Sequence, residues 1–128
     1  MKFNSLIPEL SVSNIEKSKD FYLSLGFEIM YERKENKFCF LQLEDNQIMI
    51  EQNNNNWNVG ELEYPYGRGI NISMSVKNID EMYKRVLNSN IMLFLELQTH
   101  EYRIDNEISN DKEFLIQDPD GYLLRFNN

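Results

Sequence analysis

The chain is poor in the residue types that build disulfides and most metal sites. Its 128 residues include one cysteine, Cys39, and one histidine, His100. A lone cysteine excludes an internal disulfide and fits a reducing cytosol. Cys39 lies in an apolar run, residues 38–41, which is typical of a small core residue rather than a nucleophile. The spacings of His-rich and Cys-rich metal sites are absent. We therefore predict a cytoplasmic protein.

Positive charge is also scarce. The chain has 13 basic and 21 acidic residues, for a formal net charge of −8. Such a surface repels phosphate backbones and anionic lipid, which argues against nucleic acid and membrane partners. No apolar run approaches the roughly 20 residues of a membrane span, and the N-terminus lacks the apolar core of a signal peptide. The acidic surface either serves solubility alone or attracts cationic ligands at long range.

An internal repeat predicts the fold. Residues 9–16 and residues 73–80 share one pattern, offset by 64 positions. Each copy is an alternating strand that ends at an asparagine and enters a helix, predicted over residues 15–25 and 79–89. Capping-box spacing pairs Ser13 with Glu16 at the first helix and Asn78 with Glu81 at the second.

Three further strands follow in each copy. They are predicted over residues 27–33, 38–43 and 47–51, and over 92–98, 113–117 and 122–127. Asp118 and Asp120 are interpreted as turn residues of the last hairpin. The glycines at 67 and 69 are interpreted as a flexible entry to a strand. The second copy is longer by about eleven residues, which fit best in the polar stretch 99–112.

The order of elements predicts a single α+β domain over residues 1–128. It consists of two tandem βαβββ modules, the first over about 4–52 and the second over 70–128, joined by linker 53–69. The modules are predicted to form a curved mixed sheet around a cleft, with the helices on the outer face. A linker of that length is more often functional or interfacial than idle.

Strand alternation predicts which side chains face away from the helices. Leu10 and Val12 alternate with Glu9 and Ser11, so the apolar pair should pack on a helix and the polar pair should face the cleft. The same reasoning places Asn71, Ser73 and Ser75 of the first strand of the second module on the polar face. In the last strand it places Leu123, Arg125 and Asn127 there. The alternative is that this polar face only contacts bulk water.

Three motifs then carry a family resemblance. The opening run is SVSNIEKSKDFYLSLGFEI, the start of the second module is YPYGRGINISMSVKNIDEMYKRVL, and the closing hairpin is FLIQDPDGYLLRF. Together they resemble the vicinal-oxygen-chelate superfamily, which includes glyoxalase I, extradiol dioxygenases, fosfomycin-resistance thiol transferases and bleomycin-resistance proteins. The resemblance covers about residues 6–127. It is specific for the fold and not for the activity.

The resemblance implies where a divalent metal would sit in an enzyme of this superfamily. The positions that match its His, Gln and Glu ligands carry Ile7, Asn71 and Arg125, and a fourth lies near Ile50 or Glu51. An alkyl group cannot coordinate, an amide is a poor ligand, and a guanidinium repels a cation. The matched positions are therefore not a competent ligand set, and no metal or cofactor is predicted.

The remaining behaviour that the resemblance implies is that of the bleomycin-resistance-type members, which bind a bulky cationic aromatic drug without changing it. We expect a metal-free small-molecule-binding, sequestering protein, a homodimer, with a role in antibiotic or toxic-compound tolerance. No catalytic residue is assigned. The candidate ligand-binding residues are Phe38, Phe40, Glu51, Trp57, Asn71, Ser73, Tyr102 and Arg125.

Two enzymatic alternatives stay open. One is a glyoxalase-like lyase or a dioxygenase-like metalloenzyme, which would require Asn71, Glu51 and His100 to converge. The other is a metal-free enzyme in which Arg125 polarises a substrate carbonyl. The roles of single residues have rivals too, since Trp57 could anchor a dimer interface and Arg125 could pair with Glu9 or Glu51.

Overall fold

The computed structural model describes residues 1–128 and divides into two compact units, a first unit Met1–Tyr66 and a second unit Gly67–Asn128. Each unit contains one α-helix and one four-stranded mixed sheet. This confirms the predicted α+β fold with eight strands in two βαβββ modules. The curved sheet around a cleft and the single domain stay predictions.

The first unit begins with an extended N-terminal segment and ends with the linker. Its strands are ordered β1-β4-β3-β2, with β1 parallel to β4 and the other pairs antiparallel. Its elements are β1 (Glu9–Val12), α1 (Ile15–Ser24), β2 (Glu28–Arg33), a 3₁₀ turn (Lys34–Asn36), β3 (Phe38–Leu43) and β4 (Asn46–Gln52).

The second unit repeats this topology, as the sequence repeat predicts. Its strands are ordered β5-β8-β7-β6, with β5 parallel to β8 and the other pairs antiparallel. Its elements are β5 (Asn71–Ser75), α2 (Ile79–Asn88), β6 (Leu93–Ile104), β7 (Glu107–Gln117) and β8 (Leu123–Asn127). Neither helix of the chain is long and apolar enough to span a membrane.

Each helix begins at an asparagine. Asn14 has an extended backbone, and its side-chain oxygen accepts a hydrogen bond from the Lys17 amide at 3.1 Å. The prediction of Ser13 as the cap was therefore wrong by one residue. Asn78 was predicted correctly, since its oxygen accepts from the Glu81 amide at 3.1 Å. Such caps satisfy amide groups that have no partner within the helix.

The core of the first unit lies between α1 and one face of its sheet. Leu10 and Val12 are buried whereas Glu9 and Ser11 are more exposed, which confirms the predicted alternation in β1. Cys39 is also fully buried, which confirms its interpretation as a core residue. An ion pair between Lys19 of α1 and Glu32 of β2, with 3.0 Å between Nζ and Oε2, ties the helix to the sheet. The buried apolar residues on this side are Leu10, Val12, Ile15, Tyr22, Leu25, Cys39, Leu41, Ile48 and Ile50.

The core of the second unit has the same plan. The Phe114 and Phe126 rings stack with 5.3 Å between their centroids, and Tyr83 of α2 packs against Phe114 at 5.1 Å. The apolar side chains that alternate along β5 and β8 therefore face the helix. The buried apolar residues here are Met74, Val76, Ile79, Met82, Val86, Phe114, Ile116, Leu124 and Phe126.

The polar stretch 99–112 forms strand rather than a loop. β8 pairs with β7 only over residues 113–117, so beyond that point β6 and β7 form a two-stranded arm, residues 99–112. The pairing of Tyr102 with Ser109 and of Ile104 with Glu107 continues to the turn at Asp105, whose φ is +56°. The strands predicted over 92–98 and 113–117 were therefore too short. They extend into the arm because a polar hairpin satisfies its backbone groups by cross-strand pairing without a core.

The turn between β7 and β8 is organised by one carboxylate. Oδ1 of the buried Asp118 accepts hydrogen bonds from the amides of Asp120 at 3.0 Å and Tyr122 at 2.9 Å. This confirms the interpretation of Asp118 as a turn residue that bonds the local backbone.

The glycine pair at the start of the second unit forms a hydrogen-bonded turn. The amide of Ile70 donates to the Gly67 carbonyl oxygen at 3.0 Å, and Gly67 has a φ of +71°. A Cβ atom on Gly67 would lie 2.6 Å from Cδ1 of Tyr122. At Gly67 the backbone lies against a ring that leaves no room for a side chain, and the flexibility of this segment stays a prediction.

Candidate ligand-binding faces

Each sheet has an open face, which we define as the side that points away from the helix of its own unit. On the first-unit open face, cross-strand register aligns Phe38 with Arg33 on one side and with Glu51 on the other. Glu9 lies on the same face of β1, opposite Met49. The structure thus brings the predicted residues Phe38, Phe40 and Glu51 together on one surface.

Aromatic rings cover most of this face. Tyr31 stacks on Phe40 with 5.3 Å between ring centroids and lies 5.8 Å from Phe38. Phe3 of the N-terminal segment packs against both rings, with its centroid 5.3 Å from that of Phe40 and 6.5 Å from that of Tyr31. As a result both Phe38 and Phe40 are buried. A ligand would reach the ring of Phe40 only after displacement of the rings that pack against it.

The N-terminal segment is held in this position by a glutamine of β4. The amide of Asn4 donates to Oε1 of Gln47 at 2.7 Å, and Nε2 of Gln47 donates to the Lys2 carbonyl oxygen at 2.7 Å. Nε2 of Gln47 also donates to Oε1 of Gln42, at 2.9 Å. Since Gln47 is buried, these bonds satisfy a polar group that would otherwise be costly to bury.

Charged groups occupy the other end of the first-unit open face. The Arg33 guanidinium lies over the Phe38 ring, with Cζ 4.2 Å from the centroid. Partial burial raises the pKa of the Glu9 carboxyl, the Glu51 carboxylate raises it further, and the positive charge of Arg33 acts in the opposite direction. The face therefore presents the carboxyl groups of Glu9 and Glu51 beside the Phe38 ring, over which the Arg33 guanidinium already lies.

The second-unit open face is more polar. Arg125 of β8 lies in register with Ser73 of β5 on one side and with Leu115 of β7 on the other. Asn71 lies one row away, opposite Leu123. Nε of Arg125 is buried and has no hydrogen-bond partner. None of the ion pairs in the structure involves Arg125.

An asparagine organises the polar residues beside Arg125. Nδ2 of Asn127 donates to Oγ of Ser73 at 2.8 Å, and Oγ of Ser75 donates to Oδ1 of Asn127 at 2.8 Å. Asn127 therefore fixes the position of the Ser73 hydroxyl. Strand alternation predicted Asn127 on this face, but Asn127 was not among the candidate ligand-binding residues.

Two of the predicted site residues lie apart from these clusters. Trp57 is in the linker of the first unit and is 88% exposed. Tyr102 is on the two-stranded arm of the second unit and is 43% exposed, with its hydroxyl 3.4 Å from Oε1 of Glu113. Through its hydroxyl, Tyr102 contacts Glu113, which lies on the second-unit open face one row from Arg125.

Sequence reasoning also missed Phe3, Tyr31 and Arg33. The alternation in residues 31–33 puts Tyr31 and Arg33 on one face of β2, so that signal was present. No periodic pattern marks Phe3, because it precedes the first strand.

The residues at the matched metal positions do not fit a divalent metal. Ile7 precedes β1, Asn71 begins β5 and Arg125 lies in β8. No group of three or more His, Cys, Asp and Glu side chains is arranged to hold a metal ion. His100 packs near Tyr102, with 6.2 Å between ring centroids, and lies on the arm.

Two βαβββ units, each with a helix on one side of a four-stranded sheet, define the class of protein. The chain belongs to the glyoxalase/bleomycin resistance protein/dioxygenase superfamily, whose family model matches residues 3–126.

Solved structures are similar over nearly the whole chain. A bleomycin-binding protein complexed with bleomycin shares 18% identity, with 98% of each chain covered and a TM-score of 0.67. TioX from Micromonospora sp. ML1 shares 14% identity, with 98% of each chain covered and a TM-score of 0.77. At these identities the likeness shows the fold alone.

A superfamily member from Vibrio splendidus 12B01 is more similar in sequence. It shares 36% identity, with 94% of each chain covered and a TM-score of 0.46. No curated protein sequence matches the chain.

Proposed function

We propose that this chain is a cytoplasmic, metal-free protein that binds and sequesters a small molecule without converting it, and so confers tolerance to a toxic compound. The observation that carries the proposal is the set of side chains at the matched metal positions, Ile7, Asn71 and Arg125. None of them is a competent ligand, and no other cluster of metal-binding side chains replaces them. The fourth matched position, near Ile50 or Glu51, adds at most one carboxylate, which by itself does not make the complete donor set on which the enzymes of the superfamily depend.

The open faces support ligand binding as the remaining function. The first-unit open face offers ring surface and two carboxylates, and the second-unit open face offers hydroxyl, carboxamide and guanidinium groups. Apolar surface with a few convergent polar groups is typical of small-molecule sites. A bleomycin-binding protein of similar fold has a solved structure in complex with bleomycin, which shows that this fold can hold a small molecule.

We further propose that the protein is a homodimer. Apolar side chains are exposed on and beside the outer strand of the second unit, and exposed strand edges are normally covered in native proteins. Covering these residues by a second copy would remove them from water. The exposed residues are Met92, Phe94, Ile104 and Ile108.

The experiment that tests the proposed function combines metal analysis with an assay of turnover. Purified protein is expected to carry far less than one equivalent of zinc, nickel, iron or manganese, and to remain so after incubation with each ion and desalting. The variant Asn71→His/Arg125→Glu is the matched control, because it places two metal donors on the second-unit open face. It should retain more nickel or zinc than the natural chain.

Turnover is then tested with the glutathione hemithioacetal of methylglyoxal and with catechols, and binding with a thermal-shift screen that includes bleomycin and fosfomycin. We expect at least one compound to raise the melting temperature with increasing concentration, with no product formed. A stoichiometric metal in the natural chain, or metal-dependent turnover, would show that the proposal is wrong.

A further inference from the structure

The Arg125 guanidinium has a donor that the protein does not use. Its Nε is buried and has no hydrogen-bond partner. Leaving a buried donor unsatisfied is unfavourable, and it is more so for a charged group. The chain has a net charge of −8, yet none of its carboxylates pairs with Arg125. This indicates that the partner of Arg125 is an acceptor on another molecule.

The Ser73 hydroxyl adds a second donor beside Arg125. The two residues are direct neighbours in register, on strands whose spacing is about 4.8 Å. Because Oγ of Ser73 accepts a hydrogen bond from Nδ2 of Asn127, the hydroxyl hydrogen of Ser73 is free to donate elsewhere. Ser73 itself is exposed, so that a molecule from solvent can reach this place.

The carboxylate on this face that is nearest in register is that of Glu113, and it does not satisfy Arg125. Glu113 lies opposite Asn127, one row away from Arg125, and its Oε1 is 3.4 Å from the Tyr102 hydroxyl. No ion pair forms between Glu113 and Arg125. The donors of Arg125 and Ser73 thus have no acceptor on the surface that they share.

We propose that the second-unit open face binds the carboxylate group of an acidic small molecule, with Arg125 and Ser73 as the hydrogen-bond donors. Because Nε is buried, binding requires the side chains that cover it to move aside. One carboxylate oxygen then accepts from Nε of Arg125 and the other from a terminal guanidinium nitrogen, which is the bidentate arrangement that arginine favours. The Ser73 hydroxyl donates to one of the same oxygens. This inference rests on the proposed function, and it assigns the class of ligand group that the second unit recognises.

The test uses the full chain and three probes of one shape and different charge: sodium benzoate, benzamide and benzylammonium chloride. Each is titrated at constant ionic strength into ¹⁵N-labelled protein, with the arginine Nε–H signals recorded together with the amides. Benzoate is expected to shift the Arg125 Nε–H signal and the amides near Ser73 with a saturable profile. Benzamide and benzylammonium should bind this face more weakly by about tenfold or more, since they lack the anionic acceptor.

Variants separate this site from general attraction of anions. Arg125→Gln should weaken benzoate binding by about tenfold or more. Arg85→Gln removes the same charge from the exposed side of α2, in the same unit, and should leave the binding unchanged. Ser73→Ala should weaken it by a smaller factor. Because the wild-type Nε–H signal reports binding directly, the test does not depend on the folding of any variant.

Several results would overturn the inference: shifts that do not saturate, equal losses in Arg125→Gln and Arg85→Gln, or benzylammonium bound to this face as tightly as benzoate. A stable Arg125–Glu113 ion pair in solution would do so as well. A drug-like ligand that binds while benzoate does not would overturn the inference and leave the proposed function standing. Metal-dependent turnover would defeat the proposed function without altering the benzoate result.

Discussion

The guanidinium of Arg33 lies over the ring of Phe38, with 4.2 Å between Cζ and the ring centroid. The same guanidinium is 5.6 Å from the centroid of the Tyr31 ring. A cation over an aromatic face is attracted by the negative charge of the π system. The first-unit open face thus already holds a cation where a cationic ligand would stack, and such a ligand would have to displace Arg33.

Replacing Arg33 tests the strength of this contact. We expect Arg33→Met to lower the free energy of unfolding by about 0.5 to 1 kcal/mol, because the site is exposed and the methionine keeps part of the packing. Urea denaturation measures the change. Arg85→Met, at an exposed position of α2 where the side chain makes no ion pair or ring contact, is the control and should have no effect of that size. In a double-mutant cycle with Phe38→Leu, a coupling energy near zero would contradict the prediction.

The carboxyl of Glu9 predicts a dependence of stability on pH. Its pKa is raised in the folded state by partial burial and by the Glu51 carboxylate. A raised pKa means that the folded state holds this proton more tightly than the unfolded state. The stabilisation from protonated Glu9 is therefore fully present below the unfolded pKa and is lost as the pH rises through the folded pKa.

Glu9→Gln is accordingly expected to be more stable than the natural chain at pH 7, with the difference disappearing below about pH 4. Chemical denaturation at a series of pH values measures both. Glu51→Gln should lower the pKa of Glu9 in an NMR titration, because it removes the neighbouring negative charge. Glu61→Gln, in the exposed linker, serves as the control. The prediction would be contradicted if Glu9→Gln were less stable than the natural chain at pH 7 and more stable at pH 4.

The sequence predicts the fold well because its strongest signals are local. Alternation in β1 and β5 and helical periodicity depend on neighbouring residues only, and the repeat offset of 64 positions shows that the same local pattern occurs twice. The errors occur where a local pattern allows two outcomes. Ser13 and Asn14 are both good capping residues, and the backbone geometry selects Asn14. Likewise, nothing in the composition of residues 99–112 separates a polar loop from a polar hairpin.

The candidate site could be predicted only in part. Strand alternation places Ser73 and Arg125 on one face, but it cannot show that Nε of Arg125 lacks a partner. The burial of Phe40 could not be predicted either, because it depends on Phe3, which is distant in sequence and lies outside any strand. Contacts of this kind come from tertiary structure, about which periodicity carries no information.

Cys39 offers a probe of global unfolding. Burial, together with the nearby Glu32 carboxylate, raises the pKa of its thiol to about 11. At pH 8 the thiol is therefore protonated and shielded from solvent, whereas the thiolate is the reactive form. We expect Ellman's reagent to label the folded protein more slowly than the urea-unfolded chain, by about a thousandfold or more. Rapid labelling without denaturant would show that Cys39 is accessible in solution.

The carboxylate of Asp118 is expected to be a large single contribution to the stability of the second unit. Asp118→Ala would leave the Asp120 and Tyr122 amides without their acceptor, at a cost of about 2 to 5 kcal/mol. Asp118→Asn keeps one acceptor oxygen and should lower the stability by less than half as much as Asp118→Ala. Thermal and urea denaturation measure both variants. Equal losses in the two would mean that charge, rather than hydrogen bonding, accounts for the effect.

The three glycines of the linker region separate backbone strain from steric contact. At Gly67 an added Cβ would lie 2.6 Å from the Tyr122 ring, and φ is +71°. At Gly69 φ is +86° but the space is open, and at Gly60 there is neither a nearby atom nor a positive φ. The expected losses on substitution by alanine are therefore about 2 to 4 kcal/mol at Gly67, about 1 to 2 kcal/mol at Gly69, and none at Gly60. Urea denaturation of the three variants tests this order, and a loss at Gly67 no greater than at Gly69 would mean that the Tyr122 ring moves aside at little cost.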